Sequence, residues 1–494
     1  MKPTGFRNAW GLSLLAMLQG CAVGPNFHTP SAPDAKLAPA KQSGAQAQNF
    51  NPGADIAGDW WTLFQNQGLN QMIDTSLANN PNLTAAQASL VQAEETLRGA
   101  GGQLLPSVSA GLNAQRAQAS PATYSTLGAT GAANKLTIPP YTLYDATLSI
   151  SYTLDIWGET RRTLEGDAAQ VEYQRDQLEA AYLTLTGNVV TATVQAASLQ
   201  AQIDATNQVI AAEQQMLTIL RNQQNLGGAS GAQVLQQQAQ MAQAQATLPP
   251  LESALAQTRN ALVAYEGALP GGAPPPVVTL DSLTLPQNLP VSVPSSLVAQ
   301  RPDIRSAAAQ FHTATANVGV ADAQMLPQIT LTGQIGHEAL TTNTLFTPQT
   351  LMWNVAAGLV QPIFEGGQLA ANRKGAIAAM QGAGAQYQNA VVTGFQNVAD
   401  VLAALQYDAD ELAAAQSARE AAQASLTLTQ SQYQLGGEPL TAVLTAQTTY
   451  QSAAITEVKA KAARLNDTAA LYVALGGGWW HRQDVTQKCC GVIP

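Results

Sequence analysis

The sequence predicts an α+β chain built as an internal two-fold repeat, each copy carrying a pair of strands and a long helical hairpin. Three observations predict it. Two distant stretches align with matched proline spacing, several short segments alternate polar and apolar residues with period two, and two proline-free runs are long enough for helices of unusual length. NPNLTAAQASLVQAEETLRGAGGQLLPSVSAGL begins at Asn80, and RPDIRSAAAQFHTATANVGVADAQMLPQITLTG begins at Arg301. In each copy 25 residues separate the early proline from the LP proline (81 to 106, 302 to 327). Further on, NQQNLGGASGAQVL matches SQYQLGGEPLTAVL, and 41 residues separate Leu226 from Gly267 and Leu435 from Gly476. The middle of the first copy is twelve residues longer, and the Ser/Thr/Gly/Ala stretch at 117–142 is where the extra residues are expected.

The elements follow in chain order. Lys2 and Arg7 precede an apolar run from Trp10 to Leu18, the charged and apolar parts of a secretory signal. The run is too short to span a bilayer. Leu18-Gln19-Gly20-Cys21 resembles a bacterial lipobox, which implies a signal peptide over 1–20 and a lipid-bearing Cys21 as the first mature residue. In such lipoproteins a residue other than Asp after the cysteine, here Ala22, permits transfer to the outer membrane. Residues 21–58 read as an acylated linker. The first repeat spans 59–269, a Pro-rich linker 270–296, the second repeat 297–478 and a C-terminal tail 479–494.

Within each repeat the expected order is helix, strand, loop, strand, long helix, Gly-Gly turn, helix. Pro106 and Pro327 stand at strand starts, where a missing N–H is tolerated. In DATLSISYTLD, Ala146, Leu148, Ile150, Tyr152 and Leu154 alternate with Thr147, Ser149, Ser151 and Thr153. Ile329, Leu331 and Ile335 alternate with Thr330, Thr332 and Gln334 in the same way. Val108, Ala110, Leu112 and Ala114 give a weaker strand, and LMWNVAAGLVQPIF a more uniformly apolar one. A helix over about 161–225 would run roughly 100 Å at 1.5 Å per residue. Leu199, Ile203, Thr206, Ile210, Glu213, Leu217 and Leu220 step by four and three along it, the seam of a left-handed coiled coil. The partner helix offers Val398, Leu402, Leu405, Ala409 and Leu412, then Gln423, Leu426 and Tyr433. Gly227, Gly228, Gly436 and Gly437 supply the left-handed conformation that ends a helix.

Composition narrows the function. Charged residues are 11% of the 494 and the net charge is −10, against the basic patch expected of a nucleic-acid binder. His28, His312, His337 and His481 are scattered, with no metal-ligand spacing, and no nucleophile-elbow or phosphate-loop motif occurs. His312 is expected on a helix surface and His337 past a strand. Neither an enzyme nor a cofactor is expected. Cys489 and Cys490 are adjacent in the tail and imply no disulfide framework.

GCAVGPNFHTP, DWWTLFQNQGLNQMIDTSLANNPNL, QRPDIRSAAA, MLPQITLTG, VQPIFEGGQL and LGGGW, in this order and spacing, resemble the TolC-like outer membrane factors, and among them the lipoprotein, NodT-like branch. The resemblance covers nearly everything from Cys21 to Trp480. It implies a homotrimer whose chains each give four strands to one outer-membrane β-barrel, continued by a periplasmic α-helical coiled-coil tunnel. It also implies docking to a periplasmic adaptor (a membrane fusion protein) and an inner-membrane pump, contact with outer-membrane lipid, and export of small molecules such as drugs, toxic compounds or metal ions. Asp59, Trp60 and Trp61 would pack around the tunnel's equator. Four strands cannot close alone, because an open edge in lipid leaves backbone groups unpaired at several kcal/mol each. Type I protein secretion uses the same fold and is the alternative within the class. A lipid-anchored coiled-coil adaptor is the alternative outside it, and leaves the duplicated strands without a role.

The resemblance also places the gate. In TolC-like channels aspartates on the second hairpin ring the periplasmic mouth. The matching positions here are Ala442 and Thr445, while the first hairpin offers Gln233 and Gln236, so no acidic ring is expected. Gly227, Gly228, Gly436, Gly437 and Glu438 form the hairpin tips of this candidate gate, and Gln423 and Gln430 are expected to loosen the seam behind them.

Overall fold

The computed structural model describes residues 22–31, 48–118, 139–272, 274–291 and 294–482. Cys21, Cys489, Cys490 and most of the 117–142 stretch lie outside these residues. The elements are β1 (Asn49–Pro52), α1 (Gln67–Asn79), α2 (Pro81–Gly101), β2 (Ser107–Ala117), β3 (Tyr141–Leu154), α3 (Glu159–Asn225), α4 (Gly231–Ala246), α5 (Leu248–Tyr265), β4 (Asn288–Val291), α6 (Pro294–Gln300), α7 (Pro302–Ala323), β5 (Gln328–Ala339), β6 (Leu351–Val360), α8 (Gln368–Gln434) and α9 (Leu440–Ala474). The two long helices, α3 and α8, are 67 residues each. All four expected strands are present, and both LP prolines directly precede a strand.

The chain forms two compact units: Met1–His28 with Gln92–Val171 and Ala309–Gly384, and Thr29–Val91 with Glu172–Ala308 and Ala385–Pro494. The first unit holds an antiparallel sheet of order β2-β3-β5-β6. A strap from the N-terminal side is fixed to it. Val23 N donates to Trp157 O at 3.0 Å, and the buried Arg162 donates to Val23 O (3.0 Å), Asn26 Oδ1 (2.7 Å) and Glu165 Oε2 (2.6 Å). Burial raises the Glu165 carboxyl, but hydrogen bonds from His312 and Arg162 outweigh it and hold the group below its ordinary range. His312 is thus not a plain helix-surface residue. It is half-buried, bonded to Glu165 at 2.9 Å and stacked on Phe27 at 4.3 Å. His337 lies inside β5, opposite Ala146 and Leu351, rather than past a strand.

The second unit carries the main core. Trp60 stacks on Tyr472 at 5.4 Å, and Phe64, Leu69, Ile73, Val194, Leu405 and Leu465 close around them. The tryptophan pair is therefore part of this core, Trp61 being buried beside Trp60. Arg305 binds Asp176 at 2.8 Å and covers the Trp479 ring, tying the C-terminal turn to the helices. Desolvation dominates at Asp176 and raises its carboxyl despite that partner. Two findings depart from the sequence expectation. The 21–58 and 270–296 linkers each supply a four-residue strand, and β1 and β4 pair in parallel from Asn49↔Asn288 to Pro52↔Val291. The returning helix of the first copy is also broken, because Pro249 and Pro250 open α5 and cannot donate to the preceding turn.

The repeat persists at atomic level. Gly267 and Gly476 end the two hairpins with φ of 75° and 99°. A Cβ on Gly267 would sit 2.4 Å from Asn79 O, and one on Gly476 would sit 2.9 Å from Gln300 O. Asn79 ends α1 and Gln300 ends α6, so the equal spacing in sequence reflects one backbone contact made twice. Gly53 has a similar φ of 77° with open space around it. We expect Gly53→Ala to cost about 1 kcal/mol, the left-handed penalty alone, and Gly267→Ala to cost clearly more. Thermal unfolding followed at a helical circular-dichroism band measures both; equal losses would contradict the close-approach reading.

Candidate functional site

The sheet has two chemically different faces, and cross-strand register assembles each. Val108, Ile150, Gly333 and Val355 form one row, Ala110, Leu148, Ile335 and Trp353 the next, and Tyr152, Leu331 and Ala357 a third. This face is apolar and open: Leu112 is 82% exposed, Trp353 71% and Val355 78%. The opposite face carries Ser109, Ser149, Gln334 and Asn354 in one row and Asn113, Asp145 and Glu338 in another. Asn113 donates to Asp145 at 3.1 Å there. An exposed apolar band backed by a polar face is the arrangement of a barrel wall between lipid and water. Among the described residues no helix is long and apolar enough to cross a membrane.

The hairpin ends form the second part of the site. After α3, Gly227 N donates to Gln224 O and Gly228 N to Gln223 O; after α8, Gly436 N donates to Tyr433 O and Gly437 N to Gln432 O. These are paired Schellman closures. Only Gly227 and Gly436 have the left-handed backbone, at φ 82° and 80°. The expectation for Gly228 and Gly437 is corrected: they serve as the following residue, whose N–H reaches back to the last turn. Ser230 caps α4 in a reciprocal capping box with Gln233. Leu226 and Leu435, the residues before the two turns, are both 87% exposed, and Glu438 is exposed beside them. Ala442 and Thr445 line a groove of about 420 Å³ with Ser425, Thr429 and Thr441, a wall without a carboxylate.

Behind the tips, Met216, Leu217 and Leu220 of α3 pack with Val234 of α4 and Leu440 and Val443 of α9. One turn further along the same helices the layer changes character. Glu213 is fully buried, and Gln237 and Gln447 are buried with it. Gln237 Nε2 donates to the Glu213 backbone carbonyl at 3.1 Å. Both Glu213 carboxylate oxygens, Gln237 Oε1 and the Gln447 amide atoms have no protein partner among the described residues. Burial alone pushes the Glu213 carboxyl up to about 7. Further along α8 and α9, burial first, then a hydrogen bond and repulsion from Asp467, push Asp408 up to about 7. Gln423 does not enter the seam as expected. It is exposed and accepts from Arg419 at 3.1 Å, and Ala422 takes the buried place. No cluster able to hold a metal occurs among the described residues.

The sequence profile of the outer membrane efflux proteins matches residues 72–268 and 293–477. The chain belongs to the outer membrane efflux protein family. As a family member it is an outer-membrane efflux component, and the outer-membrane location and efflux function expected from the sequence are borne out. Similar relatives include the pyoverdine export outer membrane protein OpmQ of Pseudomonas aeruginosa, 31% identical over 486 residues (96% of this chain, 99% of that protein). The toluene efflux pump outer membrane protein TtgC of Pseudomonas putida is 28% identical over 468 residues, 94% of each chain. Among solved structures, the outer-membrane channel OprN superposes with a TM-score of 0.84 at 24% identity (93% of this chain, 100% of that one). The Campylobacter jejuni channel CmeC gives 0.85 at 21% (95% and 98%). These likenesses bear on the fold, which they bear out.

The buried layer generates a pH prediction for this efflux protein. The folded chain holds the Glu213 proton more tightly than the unfolded chain, whose ordinary value is 4.5. Stability is therefore full below pH 4.5 and is lost as pH rises to about 7, by on the order of 3 kcal/mol in all. Glu213→Gln keeps the shape without the charge. It is expected to raise the melting temperature at pH 8 and leave it nearly unchanged at pH 4.5; equal effects at both would show that Glu213 titrates normally.

Proposed function

We propose that three copies of this chain share one barrel and form the outer-membrane exit duct of a tripartite efflux assembly, working with a periplasmic adaptor and an inner-membrane pump. The observation that carries the reading is the four-stranded sheet with one lipid-compatible face, one water-compatible face and two unpaired edges. A strand edge in hydrocarbon leaves backbone groups unpaired, so the sheet needs neighbours. Three chains give about twelve strands, which leaves a polar lumen wide enough for solute. The exported class is small molecules. Relatives named for pyoverdine export and toluene efflux support that over protein secretion.

The N-terminus is lipid-anchored at Cys21 in this reading. Support comes from the lipobox and from the strap that follows it. Ala22 is packed so closely on the turn between β3 and α3 that a Cβ on Gly158 would fall 2.6 Å from its own. The acyl chains would then enter the bilayer beside the strands. Mass spectrometry of the mature N-terminal peptide is expected to give acylated Cys21; an unmodified N-terminus beyond that residue overturns the anchor.

The gate in this reading is the pair of hairpin tips, Gly227 and Gly228 with Gly436, Gly437 and Glu438, backed by Ala442 and Thr445. Small uncharged groove residues would hold it by packing and hydrogen bonding. A partner opens it to the extent that it binds the open state more tightly. Cysteines at Ala229 and Glu438, in a background lacking Cys489 and Cys490, are expected to cross-link neighbouring chains under oxidation and to block drug export until reductant is added. Cross-linked chains that still export would place the gate elsewhere.

A further inference from the structure

The two copies close their hairpin tips in the same way, but the layer behind the tips differs. An offset of 209 residues carries Leu226 onto Leu435 and Val234 onto Val443. The same offset carries Glu213 onto Ala422 and Gln237 onto Ala446. Both alanines line the groove of the second hairpin. A buried carboxyl is therefore no requirement of this hairpin fold, since the second copy builds it with alanine. The polar layer belongs to the first hairpin alone, where Glu213 and Gln237 are buried against Gln447 of α9.

The surroundings of Glu213 offer no counter-charge. Helix α4 has no ionisable side chain, and α9 has none before Tyr450. On α3 the nearest charges are Asp204 and Arg221, about 12–14 Å away along the axis at about 1.5 Å per residue. On α8, Tyr433 donates to Gln223 at 3.4 Å, and burial raises its phenol further above neutrality. Glu420 is exposed, and Arg419 is engaged by Glu457 of α9. Four oxygens of the layer have no protein partner among the described residues: the Glu213 pair, Gln237 Oε1 and Gln447 Oε1. Calcium takes about six to eight oxygens and magnesium a near-ideal octahedron, so the set is too small for either. A proton needs one. Bound to Glu213, it removes the buried charge and creates a donor in a layer that has amide oxygens to accept it.

We infer that Glu213 is a proton-binding site that couples the first hairpin to α9: with the proton bound, α3 and α4 stay packed on α9, and its release admits water to the layer and frees the tips. The inference rests on the gate reading above and adds the proton as its ligand. Two bonds join the elements concerned. Gln237 of α4 holds the Glu213 backbone carbonyl at 3.1 Å, and Gln240 of α4 donates to Thr448 of α9 at 2.9 Å. The sign follows from linkage. Burial raises the Glu213 carboxyl from 4.5 to about 7 in the packed arrangement, and a water-exposed layer returns it to 4.5. The packed arrangement therefore loses to the open one by about tenfold per pH unit between about pH 5 and 7, with no dependence below that range.

The full chain in lipid is compared with Glu213→Gln and with Glu213→Ala, the residue that the second copy has at this place, from pH 5 to pH 8. Amide hydrogen exchange over α4, corrected for the intrinsic rate, reads the packing; the opening frequency in planar bilayers reads the mouth. Protection of α4 is expected to fall by about 100-fold between about pH 5 and 7 and then level off, with openings rising in step. Both variants should hold both readouts flat, although Asp408 still titrates in them. Its partner Asp467 lies about 30 Å from Gln447 along α9. Protection that does not change with pH, or that falls as steeply in the variants, overturns the proton site. Protection that falls while openings do not follow overturns the coupling to the mouth. The tip cross-link above tests the gate without reference to pH. Cross-links that block export while α4 protection stays flat leave the gate standing without the proton site; cross-linked chains that export overturn the gate itself.

Discussion

Backbone hydrogen bonding in a solvent that offers none is the constraint on which the rest of this structure depends. A peptide group in hydrocarbon must find its partner within the protein. The sheet of this chain meets that demand in its interior, where β3 and β5 are paired on both sides, and fails at β2 and β6. Its faces make the failure consequential, since one face is a continuous apolar surface from Val108 to Val355. A soluble protein would have covered such a surface with helices. Here the surface is left open, and family membership supplies its solvent, the outer membrane.

The same economy explains the helices. Their length is not supported by strong amphipathicity or by charge. It is supported by seam residues repeated along two helices of equal length and by tips closed with the same pair of backbone bonds. Duplication makes each solution serve twice. The glycine that ends each hairpin abuts the carbonyl at the end of the corresponding short helix, Asn79 in one copy and Gln300 in the other. Where the copies differ, the cause is local: Pro249 and Pro250 break one returning helix, and the other has no proline at the matching place.

Much of this was legible in the sequence because its signals are periodic. Strands with unlike faces alternate by two, and Leu148 to Leu154 announced β3 for that reason. The length of α3 and α8 was legible from the absence of proline. The β1–β4 pair was not, because four residues containing a proline carry no usable period and parallel pairing joins segments far apart in sequence. Gln423 was misplaced because a seven-residue count cannot see that Arg419 draws its amide outward. The surface reading of His312 failed for a similar reason. Its partners Glu165 and Phe27 come from other parts of the chain, and no local pattern connects them. Of the site, the tip glycines and the uncharged Ala442 and Thr445 were readable by position. The division of labour between Gly227 and Gly228 required backbone angles.

Glu213 shows what the seam gives up near the tips. A leucine at that position would extend the cluster of Leu217, Val234 and Val443 by one layer and remove buried polar atoms that lack partners. Breaking or leaving incomplete a buried polar network costs more than an apolar layer of the same volume. The layer is thus a weak plane across three helices, set between the tip cluster and the Leu199–Ile203–Leu255 cluster further along. A helical bundle separates most cheaply where its packing contributes least. That plane lies behind the glycine turns and draws on both hairpins, Glu213 and Gln237 in the first and Gln447 in the second.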